Sequence, residues 1–171
     1  MAKWIVRKGW HTSLSNFWLR LIPKWNNWPV TKYKFNIPAE NWYPYKEIDD
    51  LDINKLFGFS FGNHHKNSIR VGWTPYFNNK GKFTLYFYLY NKGVRSFVRF
   101  TEVKADTDYS IKILLEYGRV TFELFSDSGE SIAKSSEKFE VPENRLGYYL
   151  WFYFGGNKPA PKDIVANIKK I

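Results

Sequence analysis

The sequence predicts an all-β protein, and three observations lead to this fold class. Apolar and polar residues alternate with a period of two over most of the chain. Asn and Gly residues that favour turns lie between the alternating runs. A strand and its turn together take about ten residues, a spacing typical of an antiparallel sandwich or barrel.

The predicted strands follow one another from the N-terminus. Residues 3–7 and 32–37 place apolar side chains on one face and basic or polar side chains on the other. Residues 13–22 also alternate and are predicted as a strand, although a short capped helix fits them as well. The remaining strands are predicted at residues 57–61, 69–73, 82–90, 109–115, 120–124, 149–154 and 163–168, and the last is expected to pair inside a sheet.

Turns separate these strands and nothing larger divides the chain. Residues 78–81, 91–93, 117–118 and 126–129 supply the Asn and Gly that hairpins need where φ is positive. The sequence contains no repeat of domain scale and no linker. We therefore expect residues 1–171 to form a single β-sandwich domain.

Charge is unevenly distributed along a chain of net charge +10. Residues 1–39 carry seven Lys or Arg and residues 53–101 carry eight, and neither stretch contains an Asp or a Glu. An acidic stretch at residues 40–52 separates them. Because summed charge steers association, we expect a basic surface that meets an acidic partner. On the outward positions of the N-terminal strands, the candidate assembly face consists of Arg7, Lys8, Lys32 and Lys34.

Several classes of function are excluded or disfavoured by composition. The chain has no Cys, so disulfides and thiolate chemistry are excluded. No apolar run approaches the roughly 20 residues of a membrane span. Basic residues are dispersed and no nucleic-acid-binding motif occurs, so no nucleic-acid partner is expected. With three His and no ligand spacing, no metal and no cofactor are expected either.

One polar cluster lies between two predicted strands and is the first candidate ligand site. It contains His64, His65, Asn67 and Arg70. These side chains can hydrogen-bond hydroxyl or acidic groups of a ligand. A polar turn whose Asn and Ser side chains cap backbone groups is the alternative interpretation.

Two predicted strands carry rows of aromatic residues and form the second candidate site. If these strands are neighbours, six rings make a platform on which sugars or bases stack. Packing inside the core or against another subunit is the alternative. The six residues are Tyr86, Tyr88, Tyr90, Tyr149, Trp151 and Tyr153.

Parts of the sequence resemble uncharacterised small β-sandwich proteins of tailed phages and prophages. The segments that carry this resemblance read WIVRKG (4–9), DINKLFGFSFG (52–62) and HHKNSIRVGW (64–73). The ending, YLWFYF (149–154) and GGNKPAPKDI (155–164), is similar to the last strands of concanavalin-type jelly rolls. The resemblance implies a two-sheet antiparallel jelly-roll sandwich of the type shared by lectins and some polysaccharide lyases.

The function expected from this resemblance is a non-enzymatic virion component. Capsid decoration, fibre attachment and a tail accessory role fit, with the protein assembled into virions in the host cytoplasm. Its partners would be other virion subunits, in an oligomer or a larger assembly. The main alternative is a carbohydrate-binding module that recognises surface glycans through the aromatic platform. A glycan lyase that uses His64 or His65 with a tyrosine is the third.

Overall fold

The computed structural model describes residues 1–13, 30–44, 52–77, 79–143 and 145–171, together with the backbone of residues 24 and 25. Two antiparallel sheets contain most of these residues. The prediction of an all-β, two-sheet jelly-roll fold is confirmed. In the described ranges, the only helical element is a 3-10 turn at Ala39–Asn41.

The first sheet has six strands in the order β1-β13-β3-β8-β9-β10. The predicted return of the last strand is confirmed, because β13 pairs with both β1 and β3. The strands are β1 (Ala2–Val6), β3 (Val30–Asn36), β8 (Tyr109–Glu116), β9 (Arg119–Ser126), β10 (Ser131–Lys138) and β13 (Ile164–Lys170).

The second sheet has five strands in the order β12-β4-β5-β6-β7. Its strands are β4 (Asn54–Ser60), β5 (Ser68–Tyr76), β6 (Asn79–Asn91), β7 (Val94–Lys104) and β12 (Tyr149–Leu150). A separate two-stranded ladder joins β2 (Lys24–Trp25) to β11 (Leu146–Gly147).

Aromatic side chains from both sheets form the core. Phe87 of β6 stacks on Phe122 of β9 with ring centroids 3.9 Å apart, and Tyr33 stacks on Phe57 at 4.2 Å. All four side chains are almost completely buried. Stacked rings bury large apolar areas and add a specific geometric preference, so these pairs fix how the two sheets face each other.

The tight turns agree with the sequence-based prediction. Lys92 and Gly93 both have positive φ, as do Tyr117 and Gly118. These are the two-residue hairpin turns that match the twist of antiparallel strands. The predicted strand at residues 13–22 lies outside the described residues, apart from Ser13.

The predicted strand at residues 149–154 is shorter in the structure. Regular pairing ends at Leu150, and beyond it Tyr153 forms isolated bridges with Thr12 and Lys55. Tyr153 keeps the register of β12 against β4, whereas on the other side of β4 a bulge between Lys55 and Phe57 shifts the register against β5. A bulge re-aims the side chains beside it, and here it turns Lys55 toward the outer face of the sheet.

Candidate functional site

A cavity of about 430 Å³ lies on the outer face of the five-stranded sheet. The register of β5 against β6 pairs Arg70 with Tyr88 and Ser68 with Tyr90, so their side chains share this face. Next along, β7 pairs Arg95 with Tyr90. The lining residues are Lys55, His64, His65, Arg70, Tyr88, Tyr90, Arg95, Tyr153, Gly155, Gly156 and Asn157.

Lys55 lies on the floor of the cavity. Its backbone exchanges two hydrogen bonds with Tyr153, of 2.8 and 2.9 Å, which replace the interrupted strand pairing. The Nζ atom donates a hydrogen bond to the carbonyl oxygen of Gly155 at 3.0 Å and lies 4.5 Å from the centroid of the Tyr88 ring. The backbone pairing, the carbonyl and the ring together hold the buried amine in one position.

Gly58 makes room for the neighbouring arginine. In the ladder it pairs with Arg70, and a Cβ atom at position 58 would lie 2.0 Å from the carbonyl oxygen of Ile69 and 2.7 Å from the Cα of Arg70. Only glycine allows the two strands to approach this closely. Arg70 is 7% exposed and reaches the cavity from β5.

The turn at Gly155 and Gly156 forms one wall and is held from two sides. Asn54 Oδ1 accepts a hydrogen bond from the Gly155 amide at 2.6 Å, and Asp52 Oδ2 accepts one from the Asn157 amide at 2.9 Å. Gly155 has φ +63°, and a Cβ at Gly156 would lie 2.4 Å from Asp52 Oδ1. The two glycines are therefore required for the conformation that presents the Gly155 carbonyl to Lys55.

The two histidines lie at one end of the cavity, on a loop stabilised by its own polar groups. Asn63 Oδ1 accepts a hydrogen bond from the His65 amide at 2.9 Å, and Ser68 Oγ donates to the His64 carbonyl at 2.7 Å. His64 Nδ1 is hydrogen-bonded to the Tyr148 hydroxyl. The loop is a polar turn of the expected kind, and both of its histidines line the cavity.

The electrostatics of the cavity are dominated by cations. Burial, followed by the charge of Arg70, lowers the pKa of Lys55 to about 7. Burial and the neighbouring Tyr90 raise the pKa of Tyr88, so its phenol keeps its proton at neutral pH. Within the part of the chain that the structure describes, no Asp or Glu lines the cavity. The site is therefore suited to an anion.

Six of the residues predicted from sequence meet in this cavity: His64, His65, Arg70, Tyr88, Tyr90 and Tyr153. Asn67 is close in sequence but points elsewhere, since its Oδ1 accepts a hydrogen bond from the Lys92 amide. Tyr86 lines a second, smaller cavity farther along the same strands.

The six-ring platform does not form. β4 and β5 separate β12 from β6, so the two aromatic rows are not neighbours. Trp151 stacks on Trp4 with centroids 5.0 Å apart and meets the edge of Tyr33 at 6.1 Å. Tyr149 lies beneath Lys170, whose Nζ is 4.1 Å from its ring centroid. Both rings are partly buried against the core, as the packing alternative expected.

The proposed assembly residues lie in two places. Lys32 and Lys34 are on the outer face of the six-stranded sheet, where Lys34 forms ion pairs with Asp108 and Asp127. At the end of β1, Asp163 accepts hydrogen bonds from the Arg7 side chain and from the backbone amide of Lys8. Carboxylates therefore offset part of the charge that the sequence concentrates in this segment.

Sequence reasoning missed Lys55, Arg95 and the wall at residues 155–157 as parts of the site. Lys55 carried a signal, because it is a charged residue inside an otherwise apolar strand. Arg95 carried none, since exposed arginines are common. In the described ranges, no three acidic or His side chains converge in a way that could hold a metal ion, and no helix has the length and apolarity needed to cross a membrane.

The sequence matches no protein-family model and no curated protein sequence. Solved structures share the fold. An alginate lyase from Klebsiella pneumoniae aligns with 83% of this chain and 59% of its own, with a TM-score of 0.57 and 9% identity. The GH43 protein BlXynB from Bacillus licheniformis aligns with 83% and 27%, with a TM-score of 0.50 and 8% identity.

A phage protein is also among the structural neighbours. The CBM2 module of the evolved Dit of Lactobacillus casei BL23 phage J-1 aligns with 82% of this chain and 60% of its own, at 12% identity and a TM-score of 0.45. Because this TM-score is below 0.5, we conclude nothing about the present chain from this similarity. The chain thus spans about three fifths of the length of the alginate lyase and of the phage module.

These comparisons correct the prediction that the chain is not an enzyme. That prediction depended on the missing catalytic motif and on the resemblance to virion proteins. The fold occurs in an alginate lyase and in a GH43 protein, so it is compatible with an enzyme. Sequence motifs failed as a guide because one sandwich carries many functions in unrelated residues.

Proposed function

We propose that this protein recognises an acidic polysaccharide in the cavity on its five-stranded sheet. The observation that carries the proposal is the lining, in which Lys55, Arg70 and Arg95 surround tyrosine rings and no carboxylate is present among the described residues. A uronate offers a carboxylate to these cations and a flat sugar face to the rings. A site for a charged sugar needs both the cations and the aromatic rings.

Burial makes this charge effective. Arg70 is 7% exposed, so its charge acts through a medium of lower dielectric than water, whereas burial of Lys55 leaves that amine partly neutral near pH 7. A guanidinium binds a carboxylate with two parallel hydrogen bonds and fixes its plane. Arg70 is therefore the residue expected to contribute most to affinity.

A binding test follows directly. Arg70→Gln should weaken binding of polygalacturonate oligosaccharides about tenfold or more, measured by calorimetry. The matched control is Arg119→Gln on β9, which lies in the other sheet and should bind as the wild type does. Equal affinities for Arg70→Gln and the wild type, or no binding of any uronate oligosaccharide by the wild type, would overturn the proposal.

The same cavity supports a second candidate function, which is cleavage of the bound chain by β-elimination. Lys55 and Tyr88 favour it, because an amine with a pKa of about 7 lies 4.5 Å from the ring of a protonated phenol. Hydrolysis of the glycosidic bond would need two carboxylates, and the described lining has neither.

In this reaction Arg70 neutralises the uronate carboxylate, which makes the adjacent C5 proton acidic. The neutral Lys55 amine takes that proton, the C4–O4 bond breaks and a C4–C5 double bond forms. The departing O4 takes a proton from the Tyr88 phenol. The products are a new reducing end and an unsaturated uronate, and no oxidant or cofactor is consumed.

Cleavage can be measured separately from binding. The unsaturated uronate absorbs in the ultraviolet, so the wild type should produce rising absorbance with polygalacturonate or alginate. Lys55→Met should bind but give no product, and Lys66→Met, on the surface loop, should act as the wild type does. If binding is intact and the wild type gives no unsaturated ends, the elimination candidate is wrong and recognition alone remains.

The resemblance to phage sandwich proteins supports a place on a virion, where a glycan-recognising domain would meet the host surface. Lys32 and Lys34 on the six-stranded sheet face away from the cavity, so this side is available for assembly while the cavity binds glycan. Mass spectrometry of purified particles tests the location. Absence of the chain from particles that infect normally would contradict it.

A further inference from the structure

The outer face of the five-stranded sheet carries a second cavity beside the first. Along β5 and β6 the pairs run from Arg70 and Tyr88 to Thr74 and Thr84. Arg70 and Thr74 are four residues apart on one strand, about 13 Å, and their side chains point the same way. The second cavity, of about 230 Å³, is lined by Thr74, Pro75, Tyr76, Phe77, Thr84, Tyr86 and Arg99.

The two cavities differ in charge. Among the described residues, the only cation in the lining of the second cavity is Arg99, whose guanidinium forms an ion pair with Glu102 at 2.5 Å. Glu102 also pairs with Lys82 at 3.4 Å. One carboxylate therefore offsets two cations, Arg99 and Lys82, and Lys82 Nζ lies 5.6 Å from the centroid of the lining Tyr76 ring. The second cavity is less cationic than the first, which no carboxylate lines among the described residues.

The second cavity has the surface that an uncharged sugar requires. Phe77 is 60% exposed, and the rings of Tyr76 and Tyr86 lie with it in the lining. Threonine and tyrosine hydroxyls form the polar part, with Thr74 Oγ1 and Tyr86 Oη 3.4 Å apart. Rings supply stacking and hydroxyls supply hydrogen bonds, while the charge of Arg99 is engaged by Glu102.

The two cavities lie along the same two strands, β5 and β6. Gly72 pairs with Tyr86 there, and a Cβ at Gly72 would lie 2.5 Å from Ile53 Cγ2. The glycine allows Ile53 to lie flat on the sheet. A linear chain that lies along β6 therefore passes from the cationic cavity to the second one.

We infer that the ligand is a heteropolysaccharide in which acidic and uncharged sugars occur in one chain, the uronate occupying the cationic cavity and a neutral sugar the cavity at Phe77 and Tyr86. This inference deepens the proposed recognition of acidic polysaccharide and depends on it. It adds a requirement on the order of acidic and uncharged sugars in the polysaccharide, which the cationic cavity alone does not impose.

Three oligosaccharides of equal length test it by calorimetry: hyaluronan, which alternates glucuronate with N-acetylglucosamine, polygalacturonate and neutral cello-oligosaccharide. The wild type should bind the alternating chain about tenfold more tightly than either homopolymer. Phe77→Ala should reduce affinity for the alternating chain about fivefold and leave polygalacturonate binding unchanged. Tyr117→Ala, on a hairpin of the other sheet and 98% exposed, is the control and should change neither.

A second variant tests the charge argument by gain of binding. Glu102→Gln removes the carboxylate that pairs with Arg99 and Lys82, so the second cavity becomes more cationic and affinity for polygalacturonate should rise several-fold. Glu123→Gln, which removes the Lys134 partner on the other sheet, is its control. If neither Phe77→Ala nor Glu102→Gln changes affinity while Arg70→Gln still weakens it, this inference is overturned and the proposed function stands. If no uronate chain binds, both this inference and the proposed function are wrong.

Discussion

Lys55 and Tyr153 exchange both backbone hydrogen bonds across an isolated bridge, and the Lys55 Nζ lies 5.7 Å from the centroid of the Tyr153 ring. The bridge lies on one side of β4, and on the other side a bulge next to Lys55 shifts the register against β5. It places a lysine and a tyrosine from distant parts of the chain on the same cavity. The irregularity in the sheet thus builds the site.

The lowered pKa of Lys55 predicts how stability depends on pH. The unfolded chain binds a proton at Lys55 up to about pH 10.5, whereas the folded chain releases it near pH 7. Because the unfolded state holds more protons in this window, the free energy of unfolding rises with pH between about 7 and 10.5, by at most about 1.4 kcal/mol per unit. Urea unfolding at several pH values measures this slope.

Lys55→Met should reduce that slope and stabilise the fold at pH 7, since it removes a buried charge. Lys34→Met is the control, because ion pairs with Asp127 and Asp108 raise the pKa of Lys34 and keep it charged through the lower part of the window. An unchanged slope in Lys55→Met between pH 7 and 9 would show that the amine is fully charged in the folded protein.

Gly58→Ala should destabilise the protein by about 3 kcal/mol or more, because the new Cβ would overlap the carbonyl oxygen of Ile69 inside a paired ladder. Gly81→Ala is the matched control. Its Cβ would lie 3.3 Å from the flexible Asn79 side chain, so the cost should stay near 1 kcal/mol. Thermal unfolding compares the two, and similar midpoints would contradict the close approach at Gly58.

Trp151→Ala should lower stability and leave glycan affinity unchanged. Its ring packs between Trp4 and Tyr33 at the margin of the core, and truncation should cost about 2 kcal/mol. Trp10→Ala, at a side chain that is 53% exposed, should cost well under half of that. A loss of affinity in correctly folded Trp151→Ala would return this residue to the ligand site.

Binding of uronate chains should weaken as salt is added, because Arg95 reaches the cavity from the edge strand and is exposed to solvent. Arg95→Gln should lower affinity at low salt and make the salt dependence shallower. Titrations at about 0.05 and 0.5 M salt measure both effects. A salt dependence as steep as that of the wild type would exclude Arg95 from the contact.

Parts of the site could be predicted from sequence because they are local. His64 and His65 stand on a turn between two alternating runs, and the Gly155-Gly156 turn is equally visible. The sequence could not decide whether the histidines only belong to a turn or also face a ligand site. In the structure Asn63 and Ser68 stabilise the turn, while both histidines line the cavity.

The aromatic rows show where local patterns fail. Alternation places Tyr149, Trp151 and Tyr153 on one side of a strand, but regular pairing stops at Leu150. Tyr153 then lines the cavity, while Trp151 turns to Trp4. The packing of Trp151 on Trp4 and the bridge from Tyr153 to Lys55 involve residues far away in the chain, which no pattern within residues 149–154 records.

The amino-acid sequence by itself determined the all-β class, most strands and the tight turns, because a period of two and the left-handed preference of Asn and Gly are properties of neighbouring residues. Tertiary structure alone decided which polar groups converge. Lys55, Arg70 and Arg95 meet because β4, β5, β6 and β7 are neighbours in one sheet, and Tyr153 joins them through its bridge to Lys55. Strand order and register depend on contacts between residues far apart in the chain, so the cationic cavity exists only in the folded sheet.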